Sequence, residues 1–164
     1  MLEAVKLVRI DYRLIHGQVI TKWSKTIDAT RIVVVNDGLA KDEFMADIYV
    51  MAAPPGMKVD VISIDQFEAN AKAGEYESGN VLVLFKGIED ARATVDRGIA
   101  FKQVQIGGLG SGNGRTMVVK GISVDEVDIQ NLEAIQATGA KVTFQVTPEE
   151  AKLALDGAVK KVRG

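Results

Sequence analysis

Short runs of β-branched and aliphatic residues recur along this chain, each followed by a stretch whose apolar residues return at helical spacing. Six runs stand out: Ala4–Ile10, Arg31–Val35, Met57–Ile64, Val81–Phe85, Val104–Ile106 and Lys141–Val146. Ile32-Val33-Val34-Val35 is apolar at every position, which suits a strand covered on both faces; a sheet with one wet face would alternate. Between the runs, Val19, Ile20, Trp23 and Ile27 share one helical face while Lys22 and Lys25 point away. Phe44, Met45, Ile48, Met51 and Ala52 form a second stripe, stopped by Ala53-Pro54-Pro55-Gly56. Ile88, Ala91, Val95 and Ile99 form a third. Ser63 with Gln66, and Ser123 with Glu126, have capping-box spacing and mark helix starts. Thr147-Pro148-Glu149-Glu150 reads as the start of a final helix burying Ala151, Leu155, Ala158, Val159 and Val162. Thr116–Val119 is a candidate for a short extra strand at an edge. With no internal repeat and no linker, the pattern predicts one α/β domain over residues 1–164. Its central sheet is mostly parallel, with helices on both faces and room for an antiparallel edge strand.

What remains after the fold class is a question of which chemistries the residue inventory permits. A chain of 164 residues is long enough for one proper core. It has no cysteine, which removes disulfides, thiolate metal sites and cysteine nucleophiles together. It has one histidine, His16, so a His-based metal cluster or a Ser-His-Asp triad must use that residue or not exist. No metal and no cofactor is expected. No run approaches the ~20 apolar residues of a membrane span, and Met1–Lys6 lacks the apolar core of a signal peptide. A cytoplasmic chain is therefore expected, free to dock onto a membrane protein. The net charge of −2 disfavours nucleic acid as a partner. Residues 1–35 nevertheless hold six bases (Lys6, Arg9, Arg13, Lys22, Lys25, Arg31) against three acids (Glu3, Asp11, Asp28), and His16 lies among them. A local positive field suits an anion such as phosphate.

In open α/β sheets, ligands bind beyond the carboxyl ends of the strands, near a topological switch point. The loop after the first strand, Arg9-Ile10-Asp11-Tyr12-Arg13-Leu14-Ile15-His16-Gly17-Gln18, brings two arginines, an aspartate and the histidine to such an edge. Imidazole is a good nucleophile near neutral pH. Arginine grips phosphate oxygens with a fork of donors and stays charged. Amides at the next helix start, Gly17 and Gln18 among them, add donors and a favourable dipole. A histidine at a helix start is also a common cap or surface residue, so clustering alone does not assign it.

The stretch from Arg9 to Val19 resembles the active-site signature of the IIB subunits of the mannose/fructose/sorbose class of the bacterial phosphotransferase system. The likeness continues in Trp23-Ser24, Val34-Val35-Asn36-Asp37, Ala53-Pro54-Pro55-Gly56-Met57-Lys58-Val59 and Ile106-Gly107-Gly108. The resemblance implies a subunit that takes a phosphoryl group from a IIA phosphohistidine and passes it to a sugar carried through the IIC and IID membrane subunits. His16 would carry the phosphoryl group on Nδ1 and Arg13 would assist transfer. Arg9, Asp11, Gly17 and Gln18 would shape a phosphate-binding loop, with Asp37 a neighbour. It further implies a cytoplasmic subunit held at the inner membrane face through IIC and IID, and a IIA donor on a separate chain. Relatives of this kind serve mannose, fructose, sorbose and amino sugars, so the substrate is defined only as a sugar. Tyr12 stands where a small or acidic residue is more usual.

Other readings fit less well. Gly107–Gly114 invites a nucleotide site, but a P-loop ending at Arg115-Thr116 would need a glycine at Leu109 and a lysine at Arg115, and the dinucleotide spacing is also absent. A histidine phosphatase needs a second histidine. A non-catalytic binding module on a similar sheet remains the alternative of a different class, distinguished by acquiring no acid-labile phosphate.

Overall fold

The computed structural model describes residues 1–164 and contains sixteen elements. In chain order they are β1 (Val5–Asp11), α1 (Gly17–Thr26), β2 (Arg31–Val35), α2 (Asp37–Ala40), α3 (Glu43–Met51), β3 (Lys58–Ile62), α4 (Ile64–Lys72) and β4 (Val81–Phe85). There follow α5 (Ile88–Val95), β5 (Gln103–Gly108), β6 (Thr116–Val119), β7 (Ile122–Val124), α6 (Glu126–Ala137), β8 (Lys141–Phe144), β9 (Leu153–Ala154) and α7 (Leu155–Arg163). Seven strands form one sheet in the order β3-β2-β4-β1-β5-β8-β9. Every pairing in it is parallel except β8 with β9. The expected α/β architecture is therefore present, with its antiparallel edge strand at β9. Thr116–Val119 instead pairs with β7 in a separate two-stranded sheet.

Alternation along each strand assigns side chains to two faces. Val8, Ile10, Val33, Val35, Val83 and Phe85 face α4, α5, α6 and α7, in a core of 31 buried residues. Leu7, Ile32, Val34, Leu82 and Leu84 face α1, in a cluster of nine that includes Ile20 and Trp23. Burial on both sides is why Ile32–Val35 and Val81–Phe85 are apolar at every position.

Three readings of the helices are corrected. The α3 stripe forms a helix but not a buried one: Phe44 and Met51 are 75% and 77% exposed, and only Tyr49 packs against the smaller cluster. The cap of α6 is Asp125, bonded reciprocally with Asp128; Ser123 is buried in β7. The final helix starts at Leu155, not Thr147. Thr147–Glu150 is a turn, tied down where the Gln145 amide donates to the Glu150 carbonyl at 2.7 Å, and Leu153–Ala154 must stay extended to pair with β8. At Ser63 half of the expected box exists: its hydroxyl accepts from the Gln66 amide, while the Gln66 side chain bonds Asn70.

Winding reverses between β1 and β5. From β1 the chain runs through α1 towards β2 and β3; from β5 it runs on to β8 at the opposite side. The carboxyl ends of β1 and β5 thus flank the switch point, and the His16 loop leaves from one of them.

Candidate active site

The loop from Tyr12 to His16 is short and anchored from below. The Leu14 amide donates to the Asp11 carbonyl at 2.9 Å, and Leu14 adopts a left-handed φ of 56°. A branched side chain holds that conformation at a cost of about 1–2 kcal/mol. Complete burial of Leu14, with Ile15 beside it against Ile20 and Trp23, supplies the compensation. The two apolar residues turn inward, so Arg13 and His16 are left at the surface. His16 is the N-cap residue of α1, in extended conformation, and its side chain does not cap the helix. Gly17 and Gln18 are exposed, with the partnerless amides of a first helical turn.

The imidazole is instead held by Asp11. His16 Nε2 lies 2.9 Å from Asp11 Oδ2, and the ring retains 21% exposure. Burial alone would raise the Asp11 carboxyl; hydrogen bonds from His16 and the Arg13 amide, with the charge of Arg9, outweigh it and hold it at about 2. An ionised carboxylate only accepts, so Nε2 carries a hydrogen, and in the neutral ring it is Nδ1 that holds the lone pair. Arg13 approaches the same carboxylate through Nε at 3.2 Å, and its guanidinium lies 5.4 Å from the centre of the exposed Tyr12 ring. Its side chain is 39% exposed.

Arg9 departs from the expectation of a phosphate contact. It is fully buried, and Nη1 donates to Gln105 Oε1 at 2.5 Å and to the Gln145 carbonyl at 3.1 Å. Nη2 donates to Asp11 Oδ2 at 3.3 Å and to the Val146 carbonyl at 3.0 Å, while Nε has no partner. Its guanidinium lies 5.5 Å from the centre of the Trp23 ring, and the Trp23 indole donates to Val146 as well. Burial lowers the Arg9 pKa to about 10 despite the Asp11 charge. Arg9 is a buried strut beneath the site. Asp37 is also separate: its carboxylate accepts from the Ile64 amide, at the end of a strand two places from β1, roughly 10 Å across the sheet.

Sequence reasoning placed Asp11 in the loop but missed its bond to His16, and missed Gln105 and Gln145 altogether. The only signal for them was two glutamines in runs that are otherwise strand-like and apolar. Arg115, at the nucleotide-lysine position, is bound to the Gly110 carbonyl, the Ser123 carbonyl, Asp125 and Asp128, so it braces its own loop.

Fold and site together define an α/β domain that presents one carboxylate-tethered histidine, with an exposed arginine on the same carboxylate, at the switch point of a mostly parallel sheet. A family model, the PTS system sorbose subfamily IIB component, matches residues 5–163, and the chain belongs to that family. It is 36% identical over 146 residues to the sorbose-specific EIIB component of Klebsiella pneumoniae, covering 89% of each. It is 32% identical over 158 residues to the mannose-specific EIIAB component of Escherichia coli, covering 96% of this chain and 49% of that one. The crystal structure of the IIBSor domain of the Klebsiella pneumoniae sorbose permease superposes with a TM-score of 0.89 at 34% identity, covering 99% of both chains. Phosphotransferase chemistry in sugar uptake is the business of the family.

Proposed function

We propose that this chain is a phosphoryl carrier, a protein-Npi-phosphohistidine–sugar phosphotransferase subunit, with His16 Nδ1 as the carrier atom. The observation that carries the reading is the 2.9 Å bond from Nε2 to Asp11, which commits one ring nitrogen and leaves the other nucleophilic. In loading, the Nδ1 lone pair attacks the phosphorus of a IIA phosphohistidine. The old P–N bond breaks, and its electron pair returns to the donor imidazole. Arg13 and the first-turn amides of α1 face the charge on the equatorial oxygens. In delivery, a sugar hydroxyl attacks phosphorus, the P–Nδ1 bond breaks, and the hydroxyl proton leaves to solvent. Phosphohistidine is already an activated donor, so no nucleotide is needed, and neither step uses a metal or cofactor.

A IIA partner is supported by the mannose-specific relative, whose printed name joins A and B components. The sugar would be presented by IIC and IID membrane subunits. No helix of this chain is long and apolar enough to cross a membrane, so it would act from the inner face of the membrane, held by those subunits. The test is transfer of radiolabelled phosphoryl from a charged IIA protein. One acid-labile, base-stable label per chain is expected on the parent protein and none on His16→Ala. Equal labelling of both would remove His16 from the reaction.

A further inference from the structure

Gly107 and Gly108 close β5 against β1 where the register slips. Ile10 stands opposite Ile106, yet Asp11 stands opposite Gly108, so Gly107 is an extra residue in β5. Neighbouring residues of an unbroken strand face opposite sides of the sheet. An extra residue breaks that alternation and lets two consecutive positions serve one face. Both glycines do so here. A Cβ on Gly107 would overlap the Arg9 guanidinium. A Cβ on Gly108 would lie 2.7 Å from Asp11 Oδ1 and 3.1 Å from Arg13 Nη2. Neither glycine has positive φ, so room and not backbone conformation is what requires glycine. The next glycine, Gly110, has nothing within 4 Å of its Cβ position.

Resting on the carrier reading above, we propose that Gly107 and Gly108 are positioning residues of the phosphoryl-transfer site. Their bare backbone leaves the space in which Arg9 and Arg13 close on Asp11, and so fixes the His16 ring through that carboxylate. The two positions act differently. Arg9 is enclosed by Gln105, Gln145, Val146 and Trp23 and has nowhere to retreat, so a methyl at Gly107 is felt as lost stability. At Gly108 the Arg13 side chain can swing outward, but the buried Asp11 carboxylate cannot, so a methyl there displaces the acceptor that holds Nε2.

The experiment compares Gly108→Ala with Gly110→Ala. Because His16 is the only histidine, its ring ¹⁵N spectrum reads the tautomer without overlap. Gly108→Ala should move that spectrum from a dominant Nε2–H form toward a mixture and slow loading by about 10- to 100-fold. Gly110→Ala should match the parent in both. Parent-like spectrum and rate in Gly108→Ala overturn the proposal. If Gly108→Ala does not fold, Gly107 decides in a double-mutant cycle. Gly107→Ala should lower the thermal midpoint of the parent but not that of an Arg9→Met chain; equal loss in both backgrounds overturns the proposal. Failure of the carrier reading would look different, with no label on the parent protein while the ¹⁵N comparison still reports on the ring.

Discussion

An ionised carboxylate without solvent contact persists only when its partners replace the water it has lost. For Asp11 those partners are Arg9, Arg13 and His16, which converge on two oxygens. A folded pKa of about 2 against an ordinary 3.8 means that the unfolded chain binds this proton more readily. The stability so contributed, ~2 kcal/mol, is therefore complete above the ordinary value and lost as pH falls toward 2. Urea unfolding at pH 6 and pH 2.5 should show this loss, and Asp11→Asn should lack that share of it. The same variant should load more slowly, by about 10- to 100-fold, because an amide can donate as well as accept and no longer dictates which ring nitrogen carries hydrogen. Loading at the parent rate would mean the ring is oriented by something other than Asp11.

Elements begin and end where backbone groups find partners, and α6 shows how closely two candidate caps can compete. Ser123 and Asp125 both precede the helix, and both have an acidic residue three positions on. Asp125 wins because Ser123 is needed inside β7, and because Arg115 pairs with both Asp125 and Asp128. Asp125→Ala should cost about 1 kcal/mol in urea unfolding. Amide exchange at Glu126–Asp128 should quicken in that variant and not in Ser123→Ala. Matching exchange in the two variants would return the cap to Ser123. The start of α7 follows the same logic in reverse: a good local start signal at Thr147 yields to the pairing of Leu153–Ala154 with β8.

Across the whole molecule the sheet divides burial unequally, 31 residues on one face and nine on the other. Beyond α1, the thinner side of β1, β5 and β8 is filled by Arg9, Gln105 and Gln145 in place of an apolar layer. Helix α3 meets this thinner side through Tyr49, with Phe44 and Met51 outward. Replacing Phe44 and Met51 together by serine should therefore shift unfolding by no more than about 0.5 kcal/mol. Phe67→Ala, in the larger core, should cost about 3–5 kcal/mol. A large loss from the α3 pair in chemical denaturation would mean that face is covered.

The strands, most helices and the place of His16 were legible from the chain alone, because β-branched runs, helical spacing and glycine or proline stops act over a few residues. The single histidine among bases, at the end of the first strand, marked the site for the same reason. What only the tertiary structure decided is how that histidine is held. Arg9 has the look of a surface base until β5 and β8 are brought beside β1. Its partners Gln105 and Gln145 lie 96 and 136 residues away. The burial of Arg9 beneath that carboxylate, and the close approach of the two glycines, depend on strand order and on one residue of register slip. Neither leaves a mark in local sequence, since both arise from contacts made only after the sheet has assembled.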